Sequence, residues 1–441
     1  MNASLDTISV VSLAEILFLS LQLRFSKKKR LLMNLIKNVS TLPRLLFLIL
    51  VSASLANADS VTEWNTRACE LTAPPNFDTP TANRIIAIMH TAIYEAVNAI
   101  TKKYPAGDLK IDAPSNASVD AAVATAARIT LENLMPVKQQ EIDTLYQASL
   151  AKIAEGRSKT TGIEVGEKAA VAVLADRADD GFATVETYRP YTIAGVYVPT
   201  IVPLASQWIQ RKPWLMSSPD QFRPGPPPDL KSETWARDYN EIKSIGRKEN
   251  SKRTADQTAI AKFWEATGPT IYHGVIRSVA ELPGREITRN ARFLMAMTQA
   301  MDDAMIAVFD GKYHYNFWRP ITAIRNGDID GNDATERDAS WTPFINTPMH
   351  PEYPCAHCIV SGTVGTVIQA EFGSGSIPVL STTSPSANNV KRSWTKVEDF
   401  MQEVANGRIY DGVHFRNSTE VGTAMGRKIG KLAGDKYLTS R

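Results

Sequence analysis

Three short stretches carry the residues best suited to chemistry: Lys312-Tyr-His-Tyr-Asn-Phe-Trp-Arg319-Pro320, Pro354-Cys355-Ala356-His357 and Arg408-Ile-Tyr-Asp-Gly-Val-His414. A tetrahedral oxyanion spreads several negative charges over oxygens that point in different directions. A site for one therefore needs cationic donors arriving from separate segments, and Lys312, Arg319 and Arg408 are of that kind. Chemistry at the central atom further needs a nitrogen that binds or attacks it and a second group that moves a proton. His357 and His414 complete that inventory.

These groups must be placed by the elements around them. Lys312 and Arg319 are seven residues apart, two helical turns, so a helix through both puts them on one face. Pro320 disfavours helix at Arg319 and predicts a stop there. The apolar pattern of Ile359, Val360, Val364, Val367 and Ile368 predicts a helix that starts at Pro354-Cys355-Ala356-His357, where free N–H groups and the positive end of the dipole favour an anion. Ala356 is small enough to let a ligand approach the backbone. Asp411-Gly412 reads as a helix stop between Arg408 and His414, with a new helix near Asn417 or Ser418. His90 and His273 lack a companion constellation and are assigned to structure, and His314 has no task.

Helical periodicity dominates the chain. Ile85, Ile86, Ile88, Met89, Ile93, Tyr94, Val97 and Ile100 recur at three- and four-residue steps, and similar stripes run near 118–135, 138–154, 162–178, 287–309, 358–370, 394–409 and 417–437. No internal repeat and no succession of alternating strands is present, so the expected class is all-α. Residues 184–230, rich in Pro, Tyr and Trp, read as a long ordered loop, and 326–353 as a second polar, irregular stretch.

The chain has 441 residues, 44% of them hydrophobic, enough for a large core. From Met33 a basic region (Lys37, Arg44), an apolar run 45–51 and Ala56-Asn57-Ala58 follow the pattern of a secretory signal cleaved after Ala58. Residues 1–58 are accordingly read as an upstream extension of the reading frame plus signal peptide, and 59–441 as one helical domain, exported to the periplasm or the medium. The rival reading, a membrane anchor, lacks the roughly 20 apolar residues a span needs, and no stretch after Asp59 reaches that length. Of 49 Lys and Arg and 46 Asp and Glu, seven and two precede residue 59, which leaves 42 basic against 44 acidic residues, a net charge of −2. That balance argues against a general nucleic-acid surface. Three cysteines, Cys69, Cys355 and Cys358, are too few for a disulfide framework, although export would permit the close pair to oxidise.

Together the three stretches resemble the signature of the type 2 phosphatidic acid phosphatase and vanadium-dependent haloperoxidase superfamily: Lys, six residues, Arg-Pro; Pro-Ser-Gly-His; Ser-Arg, five residues, His, three residues, Asp. Met89-His-Thr-Ala-Ile-Tyr-Glu-Ala-Val-Asn98 and Ser218-Pro-Asp-Gln-Phe-Arg-Pro224 are similar to the soluble, exported haloperoxidase-like branch, so the likeness covers nearly all of 59–441. The resemblance implies a helical bundle of the acid phosphatase and vanadium haloperoxidase type. It implies that Lys312, Arg319 and Arg408 hold the equatorial oxygens with Cys355 and Ala356, and that His357 is the acid-base group. His414 would ligate the vanadium of vanadate, or attack phosphorus in a phosphatase, which needs no cofactor. The substrates implied are hydrogen peroxide and halide, or a phosphate ester. His350 falls where the family varies a residue linked to halide preference. The oligomeric state is not implied.

Four positions depart from the signature. Cys355 and Ala356 replace its serine and glycine, Gly407 its second serine, and Ser418 its aspartate, so the carboxylate that would orient His414 is missing from its usual place. Asp411 and Glu420 are the substitutes within reach in sequence. Cys355-Ala-His-Cys358 also has the Cys-x-x-Cys spacing of thiol-disulfide oxidoreductases, against which stands the lack of a strand-helix-strand pattern. Ile359 after Cys358 excludes a c-type haem site, and a zinc site with Cys69 lacks supporting spacing. A decayed site on an inactive binding protein is the remaining alternative.

Overall fold

The computed structural model describes residues 58–107 and 109–439; the signal and upstream extension expected for 1–58 lie outside these except for Ala58. Helices α1 (Ser60–Thr72), α2 (Thr79–Thr101), α3 (Val119–Leu134), α4 (Gln139–Leu150) and α5 (Arg157–Asp176) lead to the long irregular segment. They are followed by α6 (Glu233–Ile245), α7 (Ala255–Trp264), α8 (Pro269–Ala280), α9 (Ile287–Tyr315) and the short α10 (Pro320–Arg325). The chain ends with α11 (Ala356–Phe372), α12 (Val397–Tyr410) and α13 (Arg416–Ala433). Local chemistry fixes several starts. Asp59, Asp78, Ser118 and Ser232 each accept a first-turn N–H, and Thr254 with Gln257 forms a reciprocal capping box.

The class is all-α, with one exception to the strand-free reading. Residues Leu380–Ser384 (β1) and Val390–Trp394 (β2) pair antiparallel, with Leu380 opposite Trp394. The hairpin covers α8, where Thr382 Oγ1 donates to Ile271 O at 2.8 Å. Five residues per strand are too few for alternation to rise above the surrounding polar sequence.

At the centre is α9. Almost its whole length from Ala291 to Lys312 is buried, and it packs on α2, α11 and α13. A helix buried on all sides belongs in the middle of a bundle, and its buried Asp302, Asp303 and Asp310 are held by Arg211, the Trp214 N–H and Arg223. On its flank α11 and α13 approach so closely that a Cβ on Gly426 would lie 2.1 Å from Ile359 O, and one on Gly422 2.6 Å from Cys355 O. Leucine-sized side chains would hold these backbones apart; glycine lets them touch. A second apolar cluster, Trp235, Tyr239, Trp318, Trp341 and Phe415, packs beneath the two loops that flank α10.

One expected helix has a different extent. It stops at Tyr315, Asn316 takes the left-handed conformation (φ 49°), and Arg319 is the N-cap of α10 rather than the second projection from a shared face. Pro320 therefore opens a helix instead of closing one, because a proline in the first turn has no N–H to lose.

Candidate functional site

Lys312 ends the buried run of α9, and its ammonium donates to Pro351 O and Glu352 O at 2.9 and 2.8 Å. An ammonium has three donors, so one remains for a ligand. Arg319 donates through Nε to His350 O (2.8 Å), through Nη1 to Val413 O (2.9 Å) and His414 Nε2 (3.2 Å), and through Nη2 to His350 Nδ1 (3.0 Å). These bonds tie together α10, the 326–353 stretch and the turn before α13.

The geometry fixes the protonation of His414. A guanidinium can only donate, so Nε2, which faces Arg319, carries the lone pair and Nδ1 carries the hydrogen. Nδ1 then donates to Glu352 Oε1 at 2.7 Å, and the same oxygen accepts the Phe415 N–H at 3.0 Å. Glu352 is thus the carboxylate that orients His414. Asp411 instead pairs with Arg408 at 2.6 Å, and Glu420 is exposed on α13, so neither sequence substitute takes that place. Glu352 lies 62 residues upstream of His414, outside all three motifs. Its only sequence signal was its place two residues after His350 in an irregular stretch between two of them.

Arg408 leaves α12 one turn from its end and donates through Nη1 to Trp264 O and Asp411 Oδ2, both at 2.6 Å. Its buried Nε has no hydrogen-bond partner among the described residues. Gly407 beside it has a packing reason: a Cβ there would meet the Trp264 side chain at 3.1 Å, so the serine of the signature would not fit without movement.

Cys355 caps α11, its Sγ accepting the Cys358 N–H at 3.4 Å, and its own N–H reaches Ser418 O at 3.2 Å. All three cysteines are free and buried. His357 presents Nε2 to Ala266 O at 3.3 Å; a carbonyl only accepts, so Nε2 carries the hydrogen and Nδ1 the lone pair. A cavity of about 560 Å³ is lined by His350, His357, Arg408 and His414 among its polar groups, and by Leu204, Met305, Phe309, Pro348, Met349 and Ala356 on its apolar side. Leu204 comes from the long 184–230 segment, which is anchored there by Leu204 N–H donating to Met349 O at 2.7 Å.

Burial governs the electrostatics. It holds His414, His357 and His350 well below the usual histidine value, helped by the cations nearby. It also lowers the Lys312 ammonium, next to Arg319, and brings the Arg319 guanidinium down to about 10. The Glu352 carboxyl is pushed up to about 8 and that of Asp411 to about 7, in both cases by desolvation that neighbouring cations only partly offset. Burial also raises the Cys355 thiol, but donation from Cys358 and the charges of Arg408 and Lys312 outweigh it and bring it to about 7, while Cys358 is driven upward.

The two histidines set aside as structural sit apart. Asn65 Nδ2 lies 2.9 Å from His90 Nε2 and 2.8 Å from His273 Nδ1, a buried polar cluster between α1, α2 and α8.

The helical bundle thus gathers three buried basic side chains, Lys312, Arg319 and Arg408, beside two carboxyls with raised values, Glu352 and Asp411. Residues 292–440, which include every candidate site residue, match the family model of the second helical-bundle domain of vanadium chloroperoxidase. Over these residues the chain is similar to the vanadium chloroperoxidase family. The vanadium chloroperoxidase of Curvularia inaequalis is 26% identical over 149 residues, 28% of this chain and 24% of that protein, so the chain spans about a quarter of that relative's length. Among solved structures, the first bacterial vanadium-dependent iodoperoxidase superposes with a TM-score of 0.73 at 23% identity, covering 87% of this chain and 97% of that one. A holo-type bacterial vanadium-dependent chloroperoxidase gives 0.63 at 17% identity over 87% and 93%. Both likenesses are of fold.

Proposed function

We propose that the chain is a vanadate-dependent, haloperoxidase-like enzyme that oxidises halide with hydrogen peroxide. The observation that carries the proposal is the Glu352–His414–Arg319 chain, which holds an unprotonated imidazole nitrogen against the Arg319 guanidinium, with Lys312 and Arg408 near enough to lower its basicity. The donor set fits an oxyanion such as vanadate: Lys312 has one donor to spare, and the buried Arg408 Nε is unpartnered among the described residues. Buried cations without matching anions are costly, and a bound oxyanion supplies the missing charge.

In this reading Lys312, Arg319 and Arg408 hold the anion's oxygens, with Cys355 and Ala356 at the start of α11. His414 Nε2 would be the nitrogen donor to the central atom in place of its present contact with Arg319, and Glu352 keeps the hydrogen on Nδ1 so that Nε2 retains its lone pair. Bound vanadate would supply a Lewis-acidic centre for the oxidation of halide by peroxide, with no change of its own valence. His357 takes and returns a proton at Nδ1, its other nitrogen being held by Ala266 O. His350, which lines the same cavity, bears on halide preference. The leader expected before residue 59 supports export, and no helix among the described residues is long and apolar enough to cross a membrane.

One observation favours a second reading, an exported acid phosphatase. A thiol at position 355 is a poor companion for peroxide, and the same imidazole is equally suited to attack phosphorus. Purified protein assayed for bromination of a dye with vanadate and peroxide, beside phosphate release from an aryl ester, separates the two. Phosphate release with no halogenation at any vanadate concentration overturns the first.

A further inference from the structure

The proposed reaction uses neither Cys355 nor Cys358 as a nucleophile, yet their placement is that of a reactive pair. Cys355 is the N-cap of α11 and Cys358 lies three residues on, in the first turn. The Cys358 N–H points at Cys355 Sγ at 3.4 Å, and the two side chains pack together against Ala405. Residues so spaced at a helix start fall within the reach of a disulfide, and an N-cap sulfur gains from the helix dipole as a thiolate. Cys355 also adjoins Ala356 and His357, which line the cavity where a small oxidant would arrive. Cys69, on α1, is set differently: burial pushes its thiol up to about 11, against which Arg277 acts only in part.

We propose that Cys355 and Cys358 are a peroxide-responsive thiol pair whose closure to a disulfide weakens anion binding at the start of α11. The geometry of the sulfurs carries this inference; it rests on the proposed function for the source of peroxide and for the anion whose binding is switched. Cys355 loses its proton, and its sulfur attacks one oxygen of hydrogen peroxide. An S–O bond forms, the O–O bond breaks, and the departing hydroxide takes up that proton as water. Cys358 then loses its proton, its sulfur attacks the Cys355 sulfur, the S–S bond forms and the S–O bond breaks, and the hydroxide leaves with that proton as a second water. Two thiols and one peroxide become one disulfide and two waters, with the sulfurs oxidised and the peroxide reduced. Bridged, Cys355 has no S–H left to offer an anion.

The test exposes the purified full chain to hydrogen peroxide without halide or vanadate, then denatures, alkylates and measures peptide masses. The expected result is a 355–358 bridge two hydrogens lighter than the dithiol, Cys69 still alkylated, and both thiols restored by dithiothreitol. The rise in Tm with orthovanadate should shrink in the bridged chain and return on reduction. In Cys358→Ser, Cys355 should instead gain oxygens that dithiothreitol does not remove. Both thiols alkylating as before, a bridge to Cys69, or an orthovanadate shift equal in the two redox forms overturns the inference. A chain that forms the bridge with the expected change in orthovanadate shift and oxidises no halide supports the inference while the haloperoxidase reading fails.

Discussion

Glu352 accepts the Nδ1 hydrogen of His414 at 2.7 Å and thereby sets which nitrogen of that ring faces Arg319. The acceptor comes from the loop before α11 and the ring from the turn before α13, so the pair exists only because these two segments are brought side by side.

Glu352→Gln keeps the size of the side chain and replaces the carboxyl that accepts the His414 Nδ1 hydrogen with an amide. Loss of a carboxylate behind a ligating histidine typically costs about 10–100-fold in metal affinity or activity. We expect turnover to fall by that factor while Tm changes little. Ser418→Asp in the same background restores the signature's carboxylate position, and steady-state rates of the two variants show whether it orients the ring. His414→Ala should abolish turnover; unchanged kinetics would refute the role given to Nε2.

Anion binding should appear as stability. Orthovanadate at a hundred times its Kd adds about 2.7 kcal/mol to a folded state that alone binds it. Tm measured against vanadate concentration checks this. Lys312→Ala should shift the curve to higher concentration, since one cation is lost, and Arg408→Ala further, since it also leaves Asp411 without its partner. A flat curve for the parent would favour an inactive binding protein.

Much of this was legible in the residues. Spacing within each motif singled out Lys312, Arg319, His357, Arg408 and His414 as candidates, and periodicity located α2, α9, α11 and α13. What escaped was whatever depends on contacts between distant segments. Glu352 carries no local pattern, and its role follows from the packing of one loop on another. Arg319 keeps its predicted neighbour although the helix breaks at Asn316, because a short turn and a new helix return it to the Lys312 side. The helices α7 and α8 and the hairpin over them are short, and their apolar residues blend with the loops.

Stability should fall on the acid side of neutrality, and His90 isolates part of the reason. Burial lowers it from 6.5 to about 3. Between those values the unfolded chain binds a proton that the folded chain refuses, so the contribution is fully present above pH 6.5 and is lost as pH falls. The slope is about 1.4 kcal/mol per pH unit. Urea midpoints at pH 7 and pH 5 for the parent and His90→Gln should differ by a smaller acid loss in the variant; identical slopes would place His90 outside the effect.

The glycine seam of α13 supplies the last prediction. A methyl group on Gly426 would stand 2.1 Å from Ile359 O, and backbone atoms cannot swing aside as a long side chain can. Gly426→Ala must therefore part α11 from α13, at a cost of about 1–3 kcal/mol or more. The separation also acts on the site. Cys355, Ala356 and His357 open α11, His414 precedes α13, and Cys355 N–H bonds to Ser418 O across the seam. A shift of about 1 Å between such groups can lower a rate by about a hundredfold. Both Tm and turnover should drop in Gly426→Ala, whereas Gly225→Ala, where a Cβ meets nothing within 4 Å, should leave both in place. A fall in Tm with turnover intact would mean that the seam stabilises the bundle without aligning its two halves.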